Sequence, residues 1–201
     1  MNLFCIKLYK NHFLKAKAAG RFIIADNGLF EGDSFTEQQL IDFVNELQPD
    51  VFVIPDVWND AFKSYMNAKY WVNKVKSKLP EKTNLMAVIQ CTDFKIGSDL
   101  YQEYIDLGIK HIAFNHSSTA YQQFFPHKNL SVSKMMGRIY FINRLLEHNI
   151  IEHDVHHHLL LRVLGGSGLR HEPEADQHRT GHQEGQQVEV FKGPDDRQAV
   201  Q

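Results

Sequence analysis

The 201-residue chain is predicted to be an α/β protein, a partial (β/α)8 TIM-type barrel of about four to five βα units followed by an irregular tail. Three observations lead there. Short apolar runs recur at Phe22–Ala25, Val51–Ile54, Leu85–Ile89 and His111–Phe114, and runs that stay apolar rather than alternating suit parallel strands buried on both faces. Helix-like stretches separate the runs, in units of about 30 residues, the length a right-handed βαβ crossover requires. Asp26, Asp56, Gln90 and Asn115 follow the four runs in turn, at the sheet edge where α/β proteins build their sites.

The elements between the strands have their own signals. Ser34 and Glu37 form a Ser-x-x-Glu capping box ahead of Leu40, Ile41, Val44 and Leu47, which predicts a helix over 34–47. Asn59–Leu79 places Phe62, Met66, Tyr70 and Val75 near helical spacing and ends at Pro80, with Asp60 suited to cap it. A shorter helix is expected over Leu100–Leu107, stopped by Gly108, and a longer one over Ser131–His148 with Met135, Ile139, Ile142, Leu145 and Leu146 as its buried stripe. A doubly wound sheet uses the same alternation. Asp26-Asn27-Gly28-Leu29-Phe30 is no Gly-x-Gly-x-x-Gly turn, however, so the barrel is favoured over a dinucleotide fold.

Composition narrows the class. Hydrophobic residues make up 43% and charged ones 23%, a globular balance, and no stretch reaches the roughly 18 to 20 apolar residues of a membrane span. The N-terminus does not read as a leader, because its lysines fall inside the apolar stretch. A cytoplasmic protein is expected, with no membrane partner. Cys5 and Cys91 are the two cysteines; far apart and without a paired motif, they suit a reducing compartment and supply no zinc site. The formal net charge of -2 gives no global pull towards nucleic acid. One asymmetry stands out: no acid precedes Asp26, while Lys7, Lys10, Lys15, Lys17 and Arg21 fall there. That end is read either as a solvated face, the commoner case, or as a phosphate contact.

The vocabulary changes after His158. Residues 1–158 hold fourteen Ile, twelve Asn and fourteen Lys against three Arg; residues 159–201 hold no Ile, Asn or Tyr, one Lys and four Arg. The chain is therefore divided into a barrel-like part, 1–160, and a low-order tail, 161–201, with little to bury. Residues with AT-rich codons vanish together, so the tail is expected to be out of frame or replaced, if it is not simply a disordered natural end.

Four strand ends carry candidate chemistry. Asp26, followed by Asn27-Gly28, is read as a carboxylate at the sheet mouth or as an Asx-turn residue. Asp56, behind Pro55, is a second. Gln90 and Asn115 offer a donor and an acceptor each, and together the four suit a ligand rich in hydrogen-bonding edges, such as a nucleobase. Phe30, Trp58 and Tyr65, just beyond strand ends, are candidates to stack on a flat base or to join the core. His153, His156, His157 and His158 invite a metal reading, discounted because adjacent histidines point apart and no partner has ligand spacing.

These segments resemble a known family. Asp26-Asn27-Gly28-Leu29-Phe30-Glu31 is similar to the Asp-Ser-Gly-Gly-Phe-Gln segment of the tRNA-guanine transglycosylases, and closer still to the Asp-Asn-Gly-x-Phe-Glu form of their DNA-modifying phage and bacterial relatives, the DpdA-like proteins. His156-His157-His158-Leu159-Leu160 resembles the start of that group's His-x-Leu-Leu-Gly segment, so the resemblance spans about residues 20–160. It implies a (β/α) barrel and a pentosyltransferase that replaces guanine with a 7-deazaguanine in nucleic acid, with DNA favoured over tRNA and the choice between them left open by the sequence. Nucleic acid and the deazaguanine base would be its substrates. No cofactor is expected, the zinc-binding cysteines of the tRNA enzymes are missing from this chain, so no metal is expected either, and the sequence sets no oligomeric state.

By the same resemblance, Asp26 would be the acid/base aspartate, Asp56 the reader of the purine's amide and amino edge, and Gln90 the contact to its carbonyl, with Asn115 and Phe30 also against the base. Two departures stand out. Asn115-His116-Ser117-Ser118 occupies the place of a glycine-rich turn, and the family's second aspartate, the nucleophile, has no match, since Asp176 lies in a segment unlike the family's. The rival readings are a non-catalytic purine-binding module and an unrelated barrel enzyme. The latter would want a strand-end lysine or a glycine-rich phosphate loop, and neither is seen.

Overall fold

A computed structural model of the chain describes residues 3–28, 35–115, 119–151 and 154–159. The N-terminus forms a helix, α1 (Leu3–Ala18), that the sequence reading did not foresee. Then strands and helices alternate: β1 (Ile24–Ala25), α2 (Glu37–Leu47), β2 (Val51–Val53), α3 (Ala61–Tyr70), β3 (Asn84–Ile89), α4 (Phe94–Asp106), β4 (His111–Phe114), α5 (Thr119–Phe124), α6 (Leu130–Glu147) and β5 (His156–Leu159). The five strands pair in parallel and in chain order, β1-β2-β3-β4-β5, forming a curled half-barrel sheet compatible with part of a TIM-like barrel. A doubly wound sheet would reverse its order at a switch point; among the described strands none does.

The strands are short, and their two faces are both apolar. Ile23, Ala25, Phe52, Leu85, Ala87, Ile89, Ile112 and Phe114 pack outward against the helices, while Val51, Val53, Met86, Val88 and Ala113 cluster on the inner face. This two-sided burial is why the runs read as continuous rather than alternating.

Helix caps decide where the crossovers begin. The capping box of α2 is Thr36 with Gln39, which replaces the expected Ser34 and Glu37: the Thr36 side chain accepts from Gln39 N–H, and the Gln39 side chain accepts from Thr36 N–H at 2.9 Å. Ser34 lies outside the described residues. Asp60 caps α3 as expected, accepting from Lys63 N–H at 2.9 Å. Asp93 does the same for α4 through Ile96 N–H, so that helix starts at Phe94, well before the expected Leu100. Beyond Tyr70, α3 runs on as a π-turn over Trp71–Val75 and a 3₁₀ turn over Lys76–Lys78 before Pro80.

That irregular helix overturns one expectation. Phe62, Met66 and Tyr70 do not face the core; they are 73%, 47% and 46% exposed, and Ser64, Ala68, Trp71 and Val75 are buried instead. Ser64, Ala68, Trp71 and Val75 themselves lie at helical spacing, so the inward stripe is the one offset from Phe62, Met66 and Tyr70, and it brings Trp71 to Phe52 at a ring separation of 5.3 Å. On α6 the expected stripe is also shifted. Leu145 is buried and Ile142 packs against the core, but Met135, Ile139 and Leu146 are exposed, and Ser133, Gly137, Arg138 and Phe141 are buried in their place. Gly137 explains the turn of that face. A Cβ there would stand 1.8 Å from the Tyr121 carbonyl oxygen, so only glycine lets α6 lie directly on α5, and Phe141 then meets Phe94, Phe114, Tyr121 and Phe124.

The basic N-terminal segment has structural work in part. Lys10 pairs with Glu46, and Lys17 donates to the Gln48 carbonyl behind α2, beside the end of the sheet where β2 begins. No helix among the described residues is long and apolar enough to cross a membrane.

Candidate functional site

Polar side chains converge at the opposite end of the sheet, where the strands finish. β1 ends at Ala25 and places Asp26 next; its Oδ1 accepts from Asn27 N–H at 2.7 Å, and Gly28 turns the chain away at a φ of 75°. Asn27 is itself buried. Its Nδ2 donates to the Ile54 carbonyl at 3.1 Å and to Asp56 Oδ1 at 3.4 Å, which ties the end of β1 to the loop after β2. Gln90, the residue after β3, donates from Nε2 to Asp56 Oδ2. Asn115, the residue after β4, donates from Nδ2 to Gln90 Oε1 at 2.7 Å. Four successive strand ends are thus joined side by side, Asp26 and Asn27 to Asp56 to Gln90 to Asn115.

The direction of each amide in this arc follows from its partners. Gln90 Oε1 also accepts from Asn59 N–H at 3.1 Å, so two donors hold the oxygen and the NH₂ must face Asp56. The three amides Asn27, Gln90 and Asn115 are buried, while the carboxylates of Asp26 and Asp56 are half-buried. Burial raises the Asp56 carboxyl above the ordinary aspartate range; hydrogen bonds from Gln90 and Asn27 oppose that rise, and the nearby Asp26 charge adds to it. The site therefore holds one tethered carboxylate presenting two acceptor oxygens and one amide whose donor is aimed at it.

Of the residues singled out from sequence, Asp26, Asp56, Gln90 and Asn115 are brought together at this edge. Phe30, with Glu31 and His116-Ser117-Ser118, lies outside the described residues, as do His153, Asp176 and the whole tail. Tyr65 packs against the core. Trp58 is 46% exposed at the tip of the loop that carries Asp56. Asn27 and Asn59 were missed. Asn27 read as half of a turn dipeptide, and neither its reach across 29 residues to Asp56 nor Asn59's contact with Gln90 leaves any trace in local pattern.

The histidine run forms β5, a strand the sequence reading did not specify. His156 and His158 share a face with His111, stacking on it at ring separations of 4.8 and 5.3 Å, and His111 Nδ1 meets His158 Nε2 at 3.1 Å. His157 points to the other face and pairs with the Tyr101 hydroxyl at 2.8 Å. Among the described residues, no group of three or more His, Cys, Asp or Glu is placed to hold a metal ion. Cys91 is buried.

Fold and edge together define the class: an α/β protein on a curled parallel sheet with a polar site at its strand ends. No family model matches this chain, and no curated protein matches it.

Proposed function

We propose that this edge reads a purine, and that the chain carries the base-binding part of a base-exchange transglycosylase that replaces guanine with a 7-deazaguanine in nucleic acid, DNA being favoured over tRNA. The observation that carries the reading is the Asp56–Gln90 pair held by Asn27, Asn59 and Asn115. Guanine's edge presents two N–H donors beside a carbonyl. A carboxylate accepts both donors and an amide NH₂ gives to the oxygen, so the bond between Asp56 and Gln90 is exchanged for bonds to the base without leaving a group unsatisfied. Adenine presents the wrong order and would strand the Gln90 donor. Asp26, next to the pair, would manage the proton on the departing and incoming bases.

A non-catalytic purine-binding module is the second reading, and one observation favours it. Asp60 and Asp93, the other carboxylates near these strand ends, are engaged as helix caps, so among the described residues no further acid at this edge is placed to attack a sugar. Calorimetry with guanine, 7-deazaguanine and adenine tests the base reading: guanine and its deaza analogue should bind and adenine should not, and equal binding of all three would sink it. Incubation with guanine-containing DNA or tRNA and labelled 7-deazaguanine separates exchange from binding. Incorporation that disappears in Asp26→Ala supports the transglycosylase, and tight binding without incorporation supports the module.

A further inference from the structure

We infer that the turn Val57–Asp60 is part of the ligand site, with the Trp58 indole as a stacking face for the base and the Asn59 side-chain carbonyl as an additional acceptor for one of its N–H groups. The inference rests on the purine reading of Asp56 and Gln90, and extends it to residues outside the arc of strand-end side chains.

The turn is unusually well braced for a surface loop. Asp60 N–H closes it onto the Val57 carbonyl at 3.0 Å, and Ser64 Oγ both accepts from Val57 N–H at 2.9 Å and donates to the Val57 carbonyl at 3.2 Å. Asn67 holds the Pro55 carbonyl at 3.1 Å, and Asn59 N–H reaches back to Gln90 Oε1. Between these fixed points Trp58 sits at the tip, two residues from Asp56 and adjacent to Asn59, with about half of its surface exposed. An aromatic carried on a pinned backbone close in sequence to Asp56 loses little entropy when a flat ligand covers it.

Asn59 supplies the independent sign of a missing partner. Its backbone N–H is held by Gln90 Oε1 at a φ of 50°, and its Oδ1 is shielded from solvent with no hydrogen-bond partner among the described residues. A shielded acceptor with nothing to accept from is destabilising. An N–H of a bound heterocycle beside Gln90 would satisfy it.

The chain has two tryptophans, Trp58 and the buried Trp71, so acrylamide quenching distinguishes them. Guanine should protect the accessible, Trp58-derived emission from the quencher. In calorimetry with guanine, Trp58→Ala should weaken binding roughly 5- to 150-fold, Trp58→Phe should retain most of it, and Asn59→Gly, which tolerates the same φ, should weaken it roughly 2- to 10-fold. If Trp58→Ala and Asn59→Gly bind as the parent does while Asp56→Asn does not, the turn is no part of the site and the purine reading stands. If the parent chain fails to bind guanine, both are refuted.

Discussion

The arc at the strand ends and the histidines of β4 and β5 are both polar clusters set into an apolar sheet, yet they are built in opposite ways. At the strand ends, unlike groups are paired: Asp56 oxygens receive amide N–H groups from Asn27 and Gln90, and the Gln90 amide is held at both ends. Inside the strands, His111, His156 and His158 meet as like groups, ring on ring, with a single ring-nitrogen contact of 3.1 Å between His111 and His158. The first arrangement keeps a charge tolerable in a half-buried place. In the second, burial opposes a charge on His111 and on His158. Position explains the difference: a residue after a strand is released from the ladder and can choose its partner, whereas one within a strand must take the neighbour that register delivers, here His111 opposite His156.

Four experiments would break or sharpen that contrast. The largest effect is expected from Gln90→Ala, which removes the donor to Asp56 and the acceptor for both Asn115 and Asn59. Urea denaturation should show a loss of about 2–4 kcal/mol, since buried partners are left unsatisfied; a loss under about 0.5 kcal/mol would mean that the arc is not a connected unit.

Acid should act next, and through the histidines. Burial and the neighbouring His156 and His158 lower His111 to about 4, and burial also lowers His157 and His158. A group whose folded value is depressed below the unfolded 6.5 binds fewer protons when folded, so the stability it contributes is complete above about pH 6.5 and is lost as pH falls towards 4. The loss assignable to His111 should be about 1–3 kcal/mol. In His111→Leu this acid sensitivity should shrink, and an unchanged pH profile would remove the cluster from the account.

Asp56 should respond in the reverse sense. Its folded value is raised, so the folded state holds the extra proton between the ordinary aspartate value and the raised one, and stability falls as pH rises through that window. Asp56→Asn should therefore flatten the profile on that side, and a steeper profile would contradict the burial cause. The smallest effect is expected from Tyr101→Phe. It deletes the hydroxyl that pairs with His157 and should cost about 0.5–1.5 kcal/mol, with no change in purine binding.

Much of this was legible in the residues. The four apolar runs became strands β1 to β4, and Asp26, Asp56, Gln90 and Asn115 stand together because side chains that follow successive parallel strands share one edge. Asp60 could be recognised as a cap because capping is local. Other features were hidden by causes that act across distance. Phe62, Met66 and Tyr70 have helical spacing, but so do Ser64, Ala68, Trp71 and Val75, and the contact of Trp71 with Phe52 decided which of the two stripes met the sheet. The α6 face was set by the close approach of Gly137 to Tyr121, a contact between two helices. β5 escaped notice because a run of histidines has no strand-like apolar pattern, and only pairing with β4 makes it one.

Local periodicity and strand-end placement, which depend on near neighbours, were thus determined by the sequence alone: a parallel α/β alternation and four polar residues at one edge. Tertiary structure alone decided how those residues are joined. The bridge from Asn27 to Asp56, the grip of Asn59 and Asn115 on Gln90 and the stacking of His111 on β5 each bring together side chains some 25 to 50 positions apart, and a hydrogen bond or ring contact at that separation exists only once the sheet has set the strands side by side.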